Sequence, residues 1–355
     1  MSMFHELMMR KKEEIMYATI KGSLTESPYG VFSGFSGTNY LATQMGIDLS
    51  QNWEFSFDFT TSDDITSEQF VFTDKTSPYA IGFGIFTNSK FILYFLNSSG
   101  NRVYNFLNSA TINTHYKVKI TYSNNNISVY INGELVNSQS SNYPSSYIDR
   151  IMYIGRGTPT ALAFKGSIDL NKSYIKTDNT KYKLQAVVGY TIVGSPTIVD
   201  GVVSGFSDAN YLTIQQYLPD NFEMFITFTT PNSWTNEYED IFNYRQLFNI
   251  EKYSTNISTY NWTTNSYKYI VPNVKTNTKY SVKIIKEGTS ISFWYKEENN
   301  DFVLSGSLTT TKIAVGYSCF GINQATSGRF FTGFINLNET YIKSNNKLWF
   351  NGQQA

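Results

Sequence analysis

The chain of 355 residues balances 28 Lys and Arg against 28 Asp and Glu, for a formal net charge of zero. With no basic field, it has nothing to recruit nucleic acid or an anionic membrane surface, and its single Cys319 rules out an internal disulfide framework. The length suits two domains, each able to bury its own core, and 17% aromatic against 16% charged residues fits an all-β protein with polar turns.

Residues 1–16 contain strong helix formers and neither Gly nor Pro. Phe4, Leu7 and Met8 fall at i, i+3 and i+4, so the spacing predicts a short helical segment with one apolar stripe. Such a helix is marginal alone. It either frays ahead of a first domain starting at Tyr17 or buries Phe4, Leu7 and Met8 against its own domain or another chain. No secretory apolar core and no apolar run of transmembrane length is present. A soluble protein made in a cytoplasm is the expectation.

Residues 17–180 are predicted to form a first domain. Its clearest strand is 53–60, where Trp53, Phe55, Phe57 and Phe59 alternate with smaller or polar residues. The run 90–96 is apolar on both faces and reads as central. Tyr116–Tyr122, an Asn triplet and Ile127–Ile131 read as a hairpin, followed by an Asn132-Gly133 turn.

Residues 181–355 repeat this pattern. Residues 164–176 recur as 331–343 with eight of thirteen positions identical, at an offset of 167. Residues 31–41 recur as 202–212, the 53–60 strand as 222–229, and the hairpin strands as 280–285 and 291–295. Gly166 and Gly333 mark places where another backbone approaches. The stretch 177–183 is polar and reads as the linker. Short strands with frequent turn signals predict two tandem antiparallel β-sandwiches.

The order of the aromatic strand, the hairpin with Asn132-Gly133 and the closing strand at 164–170 resembles the concanavalin A-like lectin and laminin-G-like jelly rolls. That resemblance implies a sandwich that serves lectins, hydrolases and structural modules alike. A second resemblance is to virion proteins of tailed bacteriophages, which join a short attachment segment to such sandwiches. It implies a location in the virion, other virion proteins bound through residues 1–16, homo-oligomers, and contact with host surface glycans.

Glucanases of this fold place carboxylates at alternate positions of one strand, and neither half shows that pattern. Glu237-Tyr238-Glu239-Asp240 is the nearest cluster and reads as a loop, so no catalytic residues are assigned and no enzyme is expected. His5 and His115 are too few and too distant for a histidine metal site or a triad. Asp63, Asp64 and Asp74 are the candidate calcium ligands, against a solvated loop; otherwise no cofactor or metal is expected. Cys319 lies in an apolar run and reads as a buried thiol. Trp234, Tyr238, Tyr244, Tyr260 and Trp262, together with Tyr253, Tyr267 and Tyr269, stand among Asn, Thr and Ser. Three readings fit them: strands with inward rings, a protein interface, or a glycan site. The sequence thus points to a non-enzymatic structural or attachment protein of a phage particle. The alternative is a free carbohydrate-binding module or a degenerate glycoside hydrolase.

Overall fold

The computed structural model describes residues 13–26, 30–75, 80–97, 99, 101–143, 146–157, 162–177, 180–214, 218–244, 247–261, 263–311, 318–322, 328–344 and 347–354. The protein is all-β, and the chain divides between Ala186 and Val187 into two compact units.

In the first unit, Trp53–Thr60 is central because its inward rings alternate at the period of a strand. Phe55, Phe57 and Phe59 meet Phe72, Phe83 and Phe91 across the core. Trp53–Thr60 pairs on one side with His115–Ser123, which leads to Asn126–Ile131 and Glu134–Ser140. On its other side it pairs with Ser167–Thr177, which leads to Val31–Ser33 and Thr25–Glu26. The second sheet runs Glu13–Lys21, Tyr40–Thr43, Met152–Ile154, Gln69–Asp74, Gly82–Ile85, Lys90–Leu96, Arg102–Ser109. All these pairings are antiparallel.

The second unit repeats both orders. Its first sheet runs Val303–Thr309, Ser290–Glu297, Lys279–Glu287, Phe222–Thr229, then Phe334–Asn336 with Tyr341–Ser344, and Val202–Ser204 with Thr197–Val199. Its second sheet runs from the end of Thr180–Val193 through Tyr211–Ile214, Ser318–Phe320, Tyr238–Tyr244, Phe248–Tyr253 and Asn256–Asn261 to Ser266–Val271.

The duplication extends to single hydrogen bonds. Ile168 pairs with Phe32 and Phe59, and Ile335 with Val203 and Phe228. The Tyr116 hydroxyl accepts from the Thr111 N–H at 2.9 Å, and the Tyr280 hydroxyl from the Lys275 N–H at 3.1 Å. The hairpin turns use the positive φ that Asn tolerates: Asn124 and Asn125 stand at 51° and 58°, and Asn132 at 52°. A Cβ on Gly166 would stand 2.0 Å from the Thr60 carbonyl oxygen, and one on Gly333 2.3 Å from that of Thr229.

Three expectations change. Glu13–Met16 are strand rather than helix, because Met16, Ala18 and Ile20 are buried and the strand pairs with Tyr40–Thr43. The rest of the leader, with Phe4, Leu7 and Met8, lies outside the described residues. The stretch 177–183 is no linker: Tyr174 through Thr177 pair with Lys183 through Thr180 as a hairpin, and the strand Thr180–Val193 runs on across the division. Trp53–Thr60, which its alternation predicts to be half-buried, also buries Ser56 and Asp58 on the face away from the rings, where His115 and Ser173 meet Asp58.

The close approach at Gly166 predicts that Gly166→Ala lowers stability by about 1–3 kcal/mol through overpacking. At Gly133, where a Cβ meets nothing within 4 Å but φ is +90°, Ala should cost about 1 kcal/mol. Urea unfolding of the two variants beside the parent chain measures both.

Candidate functional site

The second sheet of the second unit has one face on the core and one away from it, and a bulge decides which residues face which way. The register shifts between Asp240 and Phe242. Without the shift, residues two apart would share a face. With it, Phe242 packs inward on Phe248 and Phe320. Asp240 turns to the opposite face, where its carboxylate accepts from the amides of Asn243 at 3.2 Å and Asn249 at 3.4 Å.

Register then assembles the outward face. Asp240 stands opposite Glu251, Glu251 opposite Ser258, and Ser258 opposite Tyr269. Tyr238 faces Tyr253, and Tyr260 faces Tyr267. Cross-strand rings at such spacing stack: the Tyr238 and Tyr253 centroids are 5.0 Å apart, and those of Tyr253 and Tyr267 are 4.1 Å apart with planes 17° from parallel. Tyr260 closes the row edge-on at 5.1 Å from Tyr267. Tyr253 and Tyr267 stack although the strand Asn256–Asn261 runs between theirs. The rings therefore bridge over that strand, which accounts for the complete burial of Ser258.

Two carboxyl groups are sealed on this face: Asp240 is fully buried and Glu251 is 1% exposed. Burial, and then the charge of Asp240, push Glu251 up to about 7 against the pull of Asn249 and Arg329. Glu251 Oε2 and Ser258 Oγ make no hydrogen bond among the described residues. The Arg329 guanidinium lies over the Tyr238 ring at 4.2 Å from its centroid, with Nη1 3.5 Å from Glu251 Oε2. Burial and the Glu251 charge also push the Tyr267 hydroxyl upward.

The structure sorts the residues singled out in the sequence. Tyr238 and Tyr260 join Tyr253 and Tyr267 in the ladder. Tyr244 is buried against Phe248, where its hydroxyl accepts from the Leu218 N–H at 3.0 Å. Trp234 packs instead on Phe331, with Lys252 over its ring. Trp262 lies outside the described residues. Residues 238–240 are strand, not loop. Glu239 is a structural anchor that accepts from the N–H groups of Thr235, Asn236 and Thr332, and Glu237 is exposed. Glu251 and Arg329 were missed. The alternation Asn249, Glu251, Tyr253 on one strand was the available signal for Glu251.

The candidate calcium ligands do not converge. Asp64 bonds Lys165, while Asp74 is buried against Arg150. Among the described residues no group of three or more His, Cys, Asp or Glu is placed to hold a metal ion. His115 Nε2 lies 2.6 Å from Asp58 Oδ1 near the surface of the first unit, and Cys319 is buried in Ser318–Phe320. No helix among the described residues is long and apolar enough to cross a membrane.

Residues 35–177 match the family described as the concanavalin A-like lectin/glucanases superfamily. No curated protein matches the chain significantly. Among solved structures, the mouse laminin alpha1 chain, domains LG4-5, is 12% identical with a TM-score of 0.32, covering 90% of this chain and 89% of that one. The native heptameric SAP-like pentraxin from Limulus polyphemus is 11% identical with a TM-score of 0.31, covering 44% and 74%. Trypanosoma rangeli sialidase in complex with sialic acid is 10% identical with a TM-score of 0.37, covering 45% and 27%.

The raised Glu251 sets a pH dependence. A carboxyl raised in the folded state stabilises below its unfolded value of 4.5, and that contribution is lost as pH rises through about 7. Glu251→Gln should therefore unfold at higher urea than the parent at pH 8, by on the order of 2–3 kcal/mol, with the gap closing by pH 4.5. Urea titrations at the two pH values test the sign.

Proposed function

We propose that this chain is a non-enzymatic recognition protein whose second sandwich binds saccharide along the tyrosine ladder. The carrying observation is the half-buried row of Tyr238, Tyr253, Tyr267 and Tyr260 above buried acceptors, on a sheet face the core does not use. Phenol rings combine apolar area with a hydroxyl handle, which suits a ligand with C–H surface and many hydroxyl groups. The concanavalin A-like match of residues 35–177 supports a carbohydrate-related fold without naming a ligand. Burial of the acids supports a binding role over hydrolysis. Glycoside hydrolysis needs two carboxyls flanking the scissile bond, whereas Asp240 and Glu251 are sealed from solvent.

The setting that the sequence resemblance implies is a phage particle, on which the protein acts as a decoration or fibre subunit that touches host glycans. In that setting residues 1–12 are the tether. The strand from Glu13 belongs to the first sandwich, so the attachment segment shrinks from 1–16 to 1–12.

Two outcomes test this reading. On a glycan array the intact chain binds a defined saccharide, and Tyr267→Ala weakens that binding at least roughly tenfold, the scale of one lost aromatic contact, with the circular dichroism of the fold retained. Unchanged affinity, or no saccharide bound, overturns it. Removing residues 1–12 leaves both sandwiches folded and abolishes incorporation into particles, scored by mass spectrometry of purified virions. Normal incorporation overturns the tether.

A further inference from the structure

The two sandwiches diverge on one sheet and agree on the other. On the second sheet, register places Phe70 where Asp240 stands, Gly84 where Glu251 stands and Ile92 where Ser258 stands. Leu162, which packs on Phe70, Ile92 and Tyr94, corresponds to Arg329 at the repeat offset of 167. On the first sheet each unit instead carries the same cleft, at the end where the central strand begins. Its volume is about 370 Å³ in the first unit and about 550 Å³ in the second, within the range of small-ligand sites.

Position by position the two clefts have matching walls. Asn52, Trp53, Glu54 and Lys176 line one, and Asn221, Phe222, Glu223 and Lys343 line the other. Register fixes the arrangement: Glu54 stands between Thr121 and Lys176 in one row across three strands, and Glu223 between Ile285 and Lys343. A duplicated frame repeats its clefts, but it need not repeat their polar side chains. Further along the central strand, Ser56 and Asp58 of the first unit are Phe225 and Thr227 in the second, and the hairpin rim changes completely from 121–123 to 285–287. Across that divergence Asn, Glu and Lys stay at the cleft. Each cleft is also charge-balanced, Glu54 with Lys176 in one, Glu223 and Glu287 with Lys286 and Lys343 in the other. Opposite charges facing each other across strands ordinarily pair, yet neither Glu54 with Lys176 nor Glu223 with Lys343 forms an ion pair among the described residues. Glu54 accepts instead from the Tyr174 hydroxyl, and Lys343 lies over the Tyr341 ring at 4.7 Å from its centroid. The two tyrosines hold one position of the repeat, and each engages one member of its pair and keeps the pair open.

We propose that the two clefts are one duplicated binding site for a zwitterionic sugar, a unit with an amine and a carboxylate on the same or adjoining rings. Lys176 and Lys343 take the carboxylate, Glu54 and Glu223 the ammonium, and Asn52 and Asn221 a ring hydroxyl. Charge matching selects the class. A ligand of single charge brings that charge beside its like in the cleft, and a neutral ligand strips water from both charges without replacing it. Trp53 and Phe222 are each 3% exposed, so the floor has no ring face to offer and binding depends on charge. Two equal sites on one chain suit a polymer that repeats its unit, because the second contact is then intramolecular. That the ligand is a sugar rests on the proposed function; the charge pattern does not, and the clefts lie on the other sheet from the ladder.

The probe is muramic acid, whose one ring carries both groups, titrated calorimetrically into the intact chain at neutral pH and low salt. Two sites per chain are expected, one for each cleft. N-acetylmuramic acid lacks the ammonium and glucosamine lacks the carboxylate, so each should bind at least roughly tenfold more weakly, the scale of one lost charged contact. Glu54→Gln should leave one site, and Glu54→Gln with Glu223→Gln none, with the circular dichroism of the fold retained. If those variants unfold, Lys176→Met and Lys343→Met make the same test from the other charge. No muramic acid binding, equal binding of N-acetylmuramic acid, or two sites surviving the double variant overturns the proposal. Glycine binding as tightly as muramic acid overturns the sugar assignment. Tyr267→Ala, which tests the ladder, should leave muramic acid binding unchanged; its loss there would place the sugar at the ladder and overturn the clefts.

Discussion

The pairing of Ile168 with Phe59, and of Ile335 with Phe228, sets the register on which each sandwich depends. Side chains alternate at a period of two, so a slip of one residue would turn every inward ring of Trp53–Thr60 or Phe222–Thr229 to the wrong face. Each pairing is pinned from both ends. Gly166 and Gly333 let the closing strand touch the carbonyls of Thr60 and Thr229. Beyond the pairing the chain jogs, and a hydroxyl holds the jog. Ser173 donates to the Asp169 carbonyl and accepts from the Asp58 N–H; Thr340 donates to the Asn336 carbonyl and accepts from the Thr227 N–H. Removing either hydroxyl leaves buried backbone groups without partners, a larger penalty than the bond's net contribution.

A frame fixed in this way frees the far face of the second sheet to differ between the units. Burying Phe70, Ile92 and Leu162 stabilises the first unit at about 25 cal/mol per Å² of apolar surface removed from water. Burying Glu251 in the same place costs desolvation that the pull of Asn249 and Arg329 only partly offsets, which leaves its carboxyl raised. The second unit therefore forgoes stability that its own repeat shows the fold can supply. Local violations of packing logic concentrate at working sites, and this one lies directly beneath the only row of three stacked tyrosines among the described residues.

Much of the frame was legible because its signals are local. Alternating rings at 53–60, Asn at the positive-φ turns and the duplicated closing strand can each be read within a dozen residues. Misreadings came where distant partners decide. Glu13–Met16 are good helix formers, yet they continue the strand whose Ala18–Lys21 end pairs with Tyr40–Thr43. The Lys-rich stretch 177–183 lacks apolar periodicity because it is a surface hairpin, not because it is a linker. For the site, composition drew attention to the tyrosines but could not separate Tyr238 from Tyr244, because the bulge between them exchanges the faces. Glu251 met Asp240 only through cross-strand register. Arg329, 89 positions from Asp240 in the chain, carries no sequence signal apart from its alignment with Leu162.

The geometry of the ladder narrows what it can read. Tyr253 packs on both Tyr238 and Tyr267, which are themselves 6.4 Å apart, so the three rings form a compact cluster rather than an open column. The outer face of Tyr238 is under Arg329, and Tyr267 meets the edge of Tyr260. With Arg329 over Tyr238 and Tyr260 against Tyr267, the cluster offers phenol hydroxyls beside a restricted ring area. Recognition by such a row depends on matching donors and acceptors, which discriminates more sharply than apolar contact because a mismatched polar group is left unpaired. Affinity, by contrast, gains most from a single open ring face.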